Sequence, residues 1–108
     1  MSVQKVSSIR IPPDNHNIQL IHVATESTRL QILNILINKG REYPTQLEKE
    51  LGIQRRVISF HLEALEKVNL VKSEFGLSKD SRPQAVKYYA ITPKGKEIFE
   101  RVLKIVKM

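Results

Sequence analysis

Hydrophobic residues recur at helical spacing within residues 53–71, and this stretch has the most informative pattern in the chain. Ile58, Leu62 and Leu65 stand four and then three residues apart, so a helix places all three on one face. The opposite face carries Arg56, Ser59, Phe60, Glu63 and Lys67. A shorter helical pattern ends a few residues earlier, at Gly52. Two short helices joined by a glycine-containing turn are typical of a helix-turn-helix, which makes DNA binding the first hypothesis.

The apolar spacing elsewhere predicts further helices before this unit. Asp14 is a suitable N-cap for a first helix, although the apolar residues that follow it point to both sides and define no clear face. A broad apolar band over 30–37 predicts a heavily buried central helix, which Lys39 and Gly40 would end. Residues 41–43 form a short connector, long enough for one short strand.

The C-terminal part of the chain alternates between polar and apolar residues and then returns to helical spacing. Residues 70–77 and 86–91 are predicted to be two strands of a hairpin, joined by a long basic tip at 78–84. Thr92-Pro93 then begins a final helix that extends to about residue 107.

The order of these elements predicts the fold class. It is α+β and mainly helical, a winged helix-turn-helix with an additional helix at each end. A single domain covers residues 14–108, a length ordinary for one domain. Residues 1–13 carry loose apolar spacing and end at Pro12-Pro13, so they form either an N-terminal arm or an edge strand.

Composition narrows the range of functions. The chain has 108 residues, with 18 Lys and Arg against 11 Asp and Glu and a net charge of +7. This favours a polyanionic partner, because Lys and Arg displace the counterions of phosphates, although a merely positive surface is the alternative. The absence of cysteine excludes disulfides, thiolate-bound zinc and thiol catalysis. Without a long apolar run or a secretory signal, we expect a cytoplasmic protein with no membrane partner.

Four motifs resemble those of the ArsR-like winged-helix transcriptional regulators. They are Thr28-Arg29-Leu30-Gln31-Ile32-Leu33, Leu47-Glu48-Lys49-Glu50-Leu51-Gly52-Ile53, Ser59-Phe60-His61-Leu62-Glu63-Ala64-Leu65 and Tyr89-Ala90-Ile91-Thr92-Pro93-Lys94-Gly95. The resemblance covers roughly residues 20 to 95 and implies a homodimer that binds a near-palindromic operator and represses or activates transcription. Metal sensors of this family carry Cys, or clustered His and Asp, on the helix before the recognition helix or on the last helix. This chain has no Cys on the former and no His on the latter, so metal sensing is not carried over.

The first turn of the predicted recognition helix, about residues 54–67, carries the strongest candidates for contact with DNA. Arg55 and Arg56 follow Gln54 at the N-cap position. A helix that enters the major groove presents its N-terminal residues to base edges. Arg can bind guanine through two hydrogen bonds, and Gln can bind adenine in the same way. The alternative is a solvated pair of arginines, and we favour contact with bases or phosphates.

The next turn of that helix carries three weaker candidates. Ser59 could reach a phosphate or a base. Phe60 could meet a thymine methyl group, or it could pack against the hairpin or the arm. His61 lies between the apolar and the polar face, and two interpretations stay open: a DNA-proximal role, or a half-buried histidine bonded to the backbone.

The predicted wing, about residues 77–87, adds Lys79, Arg82 and Lys87, which we expect along the phosphate backbone. Asp80 in the same tip weakens the positive field. Thr45 and Gln46, at the start of the helix before the recognition helix, are further candidates for phosphate contacts.

The final helix has an apolar band that is wider than one core face needs. We therefore predict a two-fold interface with a second copy of the chain, which the first helix could join. The residues assigned to it are Ile98, Phe99, Val102, Leu103, Ile105 and Val106. Burial of the whole band in the core of the monomer is the alternative.

Two other functions are alternatives to a homodimeric regulator of double-stranded DNA. One is a winged-helix protein-interaction module within a transcription or replication assembly, which shares the fold but needs no symmetric half-sites. The other is an enzyme, but the spacing shows no paired carboxylates, nucleophile with a base, phosphate loop or metal cluster, so we expect neither catalysis nor a cofactor. A small-molecule effector stays open, because no residue points to one.

Overall fold

The computed structural model of the protein describes residues 15–107, and the side chains of residues 18–105. The predicted arm or edge strand at 1–13 lies outside this part. The helices are α1 (Asn15–Ala24), α2 (Ser27–Lys39), α3 (Pro44–Leu51), α4 (Arg55–Lys67) and α5 (Pro93–Lys107). The strands are β1 (Arg41–Glu42), β2 (Val71–Leu77) and β3 (Ala85–Ile91), which form an antiparallel sheet of order β1-β3-β2. The described residues thus form a winged helix-turn-helix with an extra helix at each end, which confirms the predicted fold class.

Helices α3 and α4 form the helix-turn-helix because a glycine stops the first of them. Gly52 adopts a left-handed conformation with φ of 68°, and its N–H donates to the carbonyl of Glu48 at 2.8 Å. The predicted apolar face of α4 is confirmed, since Ile58, Leu62 and Leu65 have no exposed surface. This burial fixes which side of α4 remains for solvent or for a partner.

The wing is a regular hairpin of β2 and β3. Cα pairs run from Val71 opposite Ile91 to Leu77 opposite Ala85, so every residue of both strands is paired. The loop between them closes where the N–H of Ser78 donates to the Gln84 carbonyl at 2.8 Å. The predicted strands were correct to within one residue at their ends.

Helices α1 and α5 pack against each other. In α1, Leu20 and Ala24 are buried, whereas Ile18 is 40% exposed. The sequence pattern did not resolve this face, because its apolar residues are spread around the helix. In α5, the hydroxyl oxygen of Thr92 accepts a hydrogen bond from the N–H of Gly95 at 2.9 Å, as expected for the predicted N-cap.

Candidate nucleic-acid interface

The first turn of α4 presents its cationic side chains to solvent. Arg55 and Arg56 are exposed, and so is Gln54, the N-cap residue, whose side chain makes no capping hydrogen bond. Within residues 15–107, neither arginine forms an ion pair. Two guanidinium groups therefore stand at the positive end of a helix dipole with their donors available for base edges or phosphates.

Phe60 extends this surface by one turn, beside the half-buried Ser59. Its side chain is 61% exposed, so the described hairpin does not cover it. The ring centroid lies 6.0 Å from the guanidinium carbon of Arg29 and 5.3 Å from the ring centroid of His61. An exposed ring on this face is placed to meet an apolar group such as a thymine methyl.

His61 differs from the other predicted contact residues of α4, because the structure buries it. Its exposed fraction is 9%, and its Nδ1 accepts a hydrogen bond from Nε of Arg29 at 3.0 Å. In this conformation Nδ1 of the imidazole is used by a protein partner, and the DNA-proximal role of His61 stays a prediction. The predicted half-buried histidine is thus closer to the structure, but its partner is a side chain instead of the backbone.

The wing carries the remaining basic candidates. Lys79 and Arg82 are exposed at the tip, whereas Lys87 is half-buried, with its Nζ 5.7 Å from the ring centroid of Tyr89. The backbone N–H of Lys79 donates to the hydroxyl of Tyr43 at 3.0 Å. Because Tyr43 immediately precedes α3, this bond fixes the base of the tip to the helix-turn-helix.

At the start of α3, the two residues predicted to contact phosphates, Thr45 and Gln46, have different surroundings. Thr45 is half-buried and lies in the first turn. The side-chain carbonyl of Gln46 accepts a hydrogen bond from the N–H of Tyr43 at 3.1 Å, so this group caps the helix. The prediction for Gln46 is therefore narrowed to its NH2 group.

The apolar band of α5 is largely used by the chain itself. Ile98, Phe99 and Val102 lie in the hydrophobic core, so in this conformation they are not available to a partner. The dimer contact of these three residues stays a prediction, and their burial favours the alternative of a band covered by α1 and the core of the same chain. Leu103 is half-buried and Ile105 is 55% exposed, so these two remain as candidates. The side chain of Val106 lies outside the described part.

Arg29 is a candidate that sequence reasoning missed, since it was noted only as part of a family motif. Besides its bond to His61, it donates from Nη1 to the carbonyl of Val23 in α1 at 3.2 Å. The sequence feature that could have pointed to Arg29 is a charged residue in the first turn of a helix with a broad apolar band. Local periodicity could not assign its partner, because Arg29 and His61 are 32 residues apart.

A second buried polar group lies under the wing. Glu42 is 5% exposed, and among the described residues its Oε1 has no hydrogen-bond partner. It lines an open cleft of about 340 Å³, together with Glu50, Lys39 and Lys79. Burial raises the pKa of the Glu42 carboxyl, and the neighbouring Glu50 carboxylate raises it further.

Replacing this carboxyl with an amide is expected to stabilise the protein at neutral pH. A raised pKa means that Glu42 favours folding when protonated and that this contribution is lost as pH rises through the folded-state pKa. We expect Glu42→Gln to increase the free energy of unfolding by about 1 kcal/mol near pH 7 and not at all near pH 4. Urea unfolding at both pH values measures this, with the exposed Glu100→Gln as the control. An equal gain at both pH values would contradict the assignment.

Comparison with known families identifies the helix-turn-helix. Residues 26–73 match the family model described as bacterial regulatory protein, arsR family. This segment belongs to the arsR family. It begins at the N-cap of α2, includes α3 and α4, and ends in β2. No curated protein matches the chain significantly.

Solved structures extend the likeness beyond the arsR-family segment. The transcriptional regulator homologue from Pyrococcus horikoshii OT3 is 26% identical, and the alignment covers 84% of this chain and 90% of that protein with a TM-score of 0.67. A possible transcriptional regulator for arsenical resistance is 26% identical over 82% of this chain and 84% of its own, with a TM-score of 0.61. A putative MarR-family regulator from Enterococcus faecalis V583, 20% identical over 93% of this chain and 87% of its own, shares the fold with a TM-score of 0.68.

Two further observations concern the described part of the chain. Within residues 15–107, no group of three or more His, Asp or Glu side chains is placed to hold a metal ion. No helix in the same range is long and apolar enough to span a bilayer.

Proposed function

We propose that the chain is a sequence-specific DNA-binding transcriptional regulator that acts as a homodimer in the cytoplasm, with α4 in the major groove and the wing on the phosphate backbone. The observation that carries this proposal is the exposed first turn of α4. Gln54, Arg55 and Arg56 stand together there, on a helix whose other face is buried in the core. A helix with a buried inner face and a donor-rich N-terminal turn is the arrangement that reads base edges.

The rest of the surface adds contacts that position the domain without reading sequence. Lys79 and Arg82 at the wing tip, with Lys87 behind them, are suited to phosphates on one side of α4. Thr45 and the NH2 group of Gln46 are suited to phosphates near the start of α3. Ser59 and Phe60, further along α4, could meet a phosphate and an apolar base edge.

A two-fold axis would present this surface twice. Ile105 is 55% exposed on α5, Leu103 on the same helix is half-buried, and Ile18 on the adjoining α1 is 40% exposed. These apolar side chains come from two helices that pack together, and in this proposal they belong to an apolar strip that a second copy covers. In the proposed dimer, α5 and α1 form the interface and leave both copies of α4 exposed.

A charge placed in this strip is expected to separate the two copies. We expect Ile105→Glu to sediment as a monomer at micromolar concentrations where the unaltered chain is a dimer, because a paired interface would bury the carboxylate twice. Ile37→Glu is the matched control, since Ile37 is 36% exposed on α2, outside the proposed strip. A dimer that survives Ile105→Glu places the interface elsewhere.

Salt dependence tests the DNA-binding proposal and separates it from a protein-interaction module. We expect binding to a random duplex to weaken steeply between about 50 and 200 mM salt, because contacts to phosphates release counterions. A dimer that binds duplex DNA with such a slope supports the regulator. A monomer with no measurable binding at the lower salt concentration favours the protein-interaction module.

A further inference from the structure

Arg29 joins three helices through one side chain. From the first turn of α2, its Nε donates to Nδ1 of His61 in α4 at 3.0 Å, and its Nη1 donates to the carbonyl of Val23 in α1 at 3.2 Å. Its backbone N–H donates to Oε1 of Glu26, the N-cap residue of α2, at 3.0 Å. The guanidinium group therefore connects α4 to both helices that precede the helix-turn-helix.

This connection requires one protonation state of His61. The guanidinium of Arg29 is always charged and can only donate hydrogen bonds, so Nδ1 must carry a lone pair. The imidazole is then neutral, with its proton on Nε2. A second proton on Nδ1 would set two donors and two positive charges against each other at the present 3.0 Å separation.

Glu26 offers a protonated His61 another partner. Its Oε1 is 3.8 Å from Nδ1 of His61, and its side chain is 44% exposed. Among residues 15–107, the charged groups that form a hydrogen bond or a salt-bridge contact with this imidazole are those of Glu26 and Arg29, and both residues belong to the start of α2. From α1, only the Val23 carbonyl takes part, since His22 is exposed. Protonation therefore favours a bond from His61 to Glu26 and removes the bond from Arg29.

We propose that Arg29 is a positioning residue that holds α4 in its DNA-binding orientation, and that it does so only while His61 is neutral. This rests on the proposed function, because it concerns the same recognition helix. Loss of the bond frees α4 from α1 and α2, so its exposed first turn is no longer held at a fixed angle. Specific binding depends on that angle, whereas binding to arbitrary sequences through the phosphates does not.

The main test replaces His61 with a residue that accepts a hydrogen bond but has no ionisable side chain. In His61→Asn, Oδ1 stands near the position of Nδ1 and can still accept from Arg29. We expect the unaltered chain to lose about tenfold in affinity for a duplex selected from a random pool between about pH 7.5 and pH 5.5. His61→Asn should bind the selected duplex as tightly as the unaltered chain at the higher pH, and its affinity should fall much less at the lower pH. His22→Asn, at an exposed histidine, should keep the full decrease. An equal decrease in His61→Asn and the unaltered chain overturns the proposal.

A second variant tests Arg29 at constant charge. Lysine presents one ammonium group, so Arg29→Lys cannot reach His61 and Val23 with a planar fork. We expect about tenfold weaker binding to the selected duplex at the higher pH and unchanged binding to a random duplex. The control is Arg101→Lys on α5. Circular dichroism confirms that each variant is folded at the assay temperature, and equal weakening on both duplexes in folded Arg29→Lys overturns the positioning role.

Nitrogen NMR of the imidazole tests the link without DNA. Neutral His61 should show the tautomer protonated at Nε2 in the unaltered chain, and this preference should diminish in Arg29→Lys. The tautomer protonated at Nδ1 overturns the proposal. If the unaltered chain binds no duplex at all, the proposed function fails, and this inference fails with it. If the unaltered chain binds DNA but His61→Asn shows the same pH dependence, or the imidazole is protonated at Nδ1, only this inference fails.

Discussion

Arg56→Ala is expected to weaken binding to a selected operator by about ten- to a hundredfold and to relax the preference at one base pair in each half-site. Arg56 is exposed in the first turn of α4 and has no ion-pair partner within residues 15–107. Its removal therefore costs the fold little, whereas a base edge would lose two charge-assisted hydrogen bonds. Affinity for random DNA should fall much less, because only one of several cationic groups is lost.

Fluorescence anisotropy with the selected and a random duplex measures this difference. Lys104→Ala is the matched control, since it removes the same charge from an exposed position on α5, outside the proposed DNA surface. A repeated selection with Arg56→Ala should show the relaxed base pair directly. If both duplexes bind Arg56→Ala as tightly as the unaltered chain, the wrong face of α4 has been assigned to DNA.

Gly95→Ala is expected to reduce the free energy of unfolding by about 3 kcal/mol or more. A Cβ at residue 95 would overlap the carbonyl oxygen of Leu70 and lie 2.7 Å from Cγ1 of Ile91. The carbonyl cannot move easily, because it also accepts a hydrogen bond from the N–H of Thr92 at 3.0 Å. The hydroxyl oxygen of Thr92 also accepts from the N–H of Gly95, so the backbone at 95 is held close to the Leu70 carbonyl, directly before β2.

Urea unfolding followed by circular dichroism measures this loss. Lys96→Ala is the control, because it changes the next residue of α5 at an exposed position. A loss below about 1 kcal/mol for Gly95→Ala would mean that the start of α5 adapts to the added methyl group. The expected loss gives a physical reason for glycine at the end of the motif Tyr89 to Gly95, because α5 begins directly against the backbone of Leu70.

Local patterns predicted most of the fold. The spacing of Ile58, Leu62 and Leu65 identified the buried face of α4, because a helix repeats its faces over a few residues whatever surrounds it. Likewise, the left-handed conformation of Gly52 follows from a residue type that adopts it without strain. Features of this kind depend on residues that are close together in the chain, so they can be predicted from the sequence alone.

The features that sequence reasoning missed depend on contacts between distant residues. Local sequence cannot decide the role of His61, because its partner, Arg29, is 32 residues away. Ile98 and Val102 were assigned to a dimer because the width of an apolar band does not reveal how much of it α1 and the core cover. The capping role of Gln46 was missed because a side chain that could donate to phosphate can equally accept from a nearby N–H. In each case the residue type is compatible with two roles, and only the packing of distant elements shows which role the described conformation favours.

Selection of bound sequences from a random pool of duplex DNA, performed with the full chain, tests the central claim most directly. The proposed dimer predicts an inverted repeat whose half-sites are centred about one helical turn, or a multiple of it, apart, because two copies of α4 related by a two-fold axis read the same bases. Recovery of no enriched sequence, or of a single site without symmetry, would contradict the proposed homodimeric regulator.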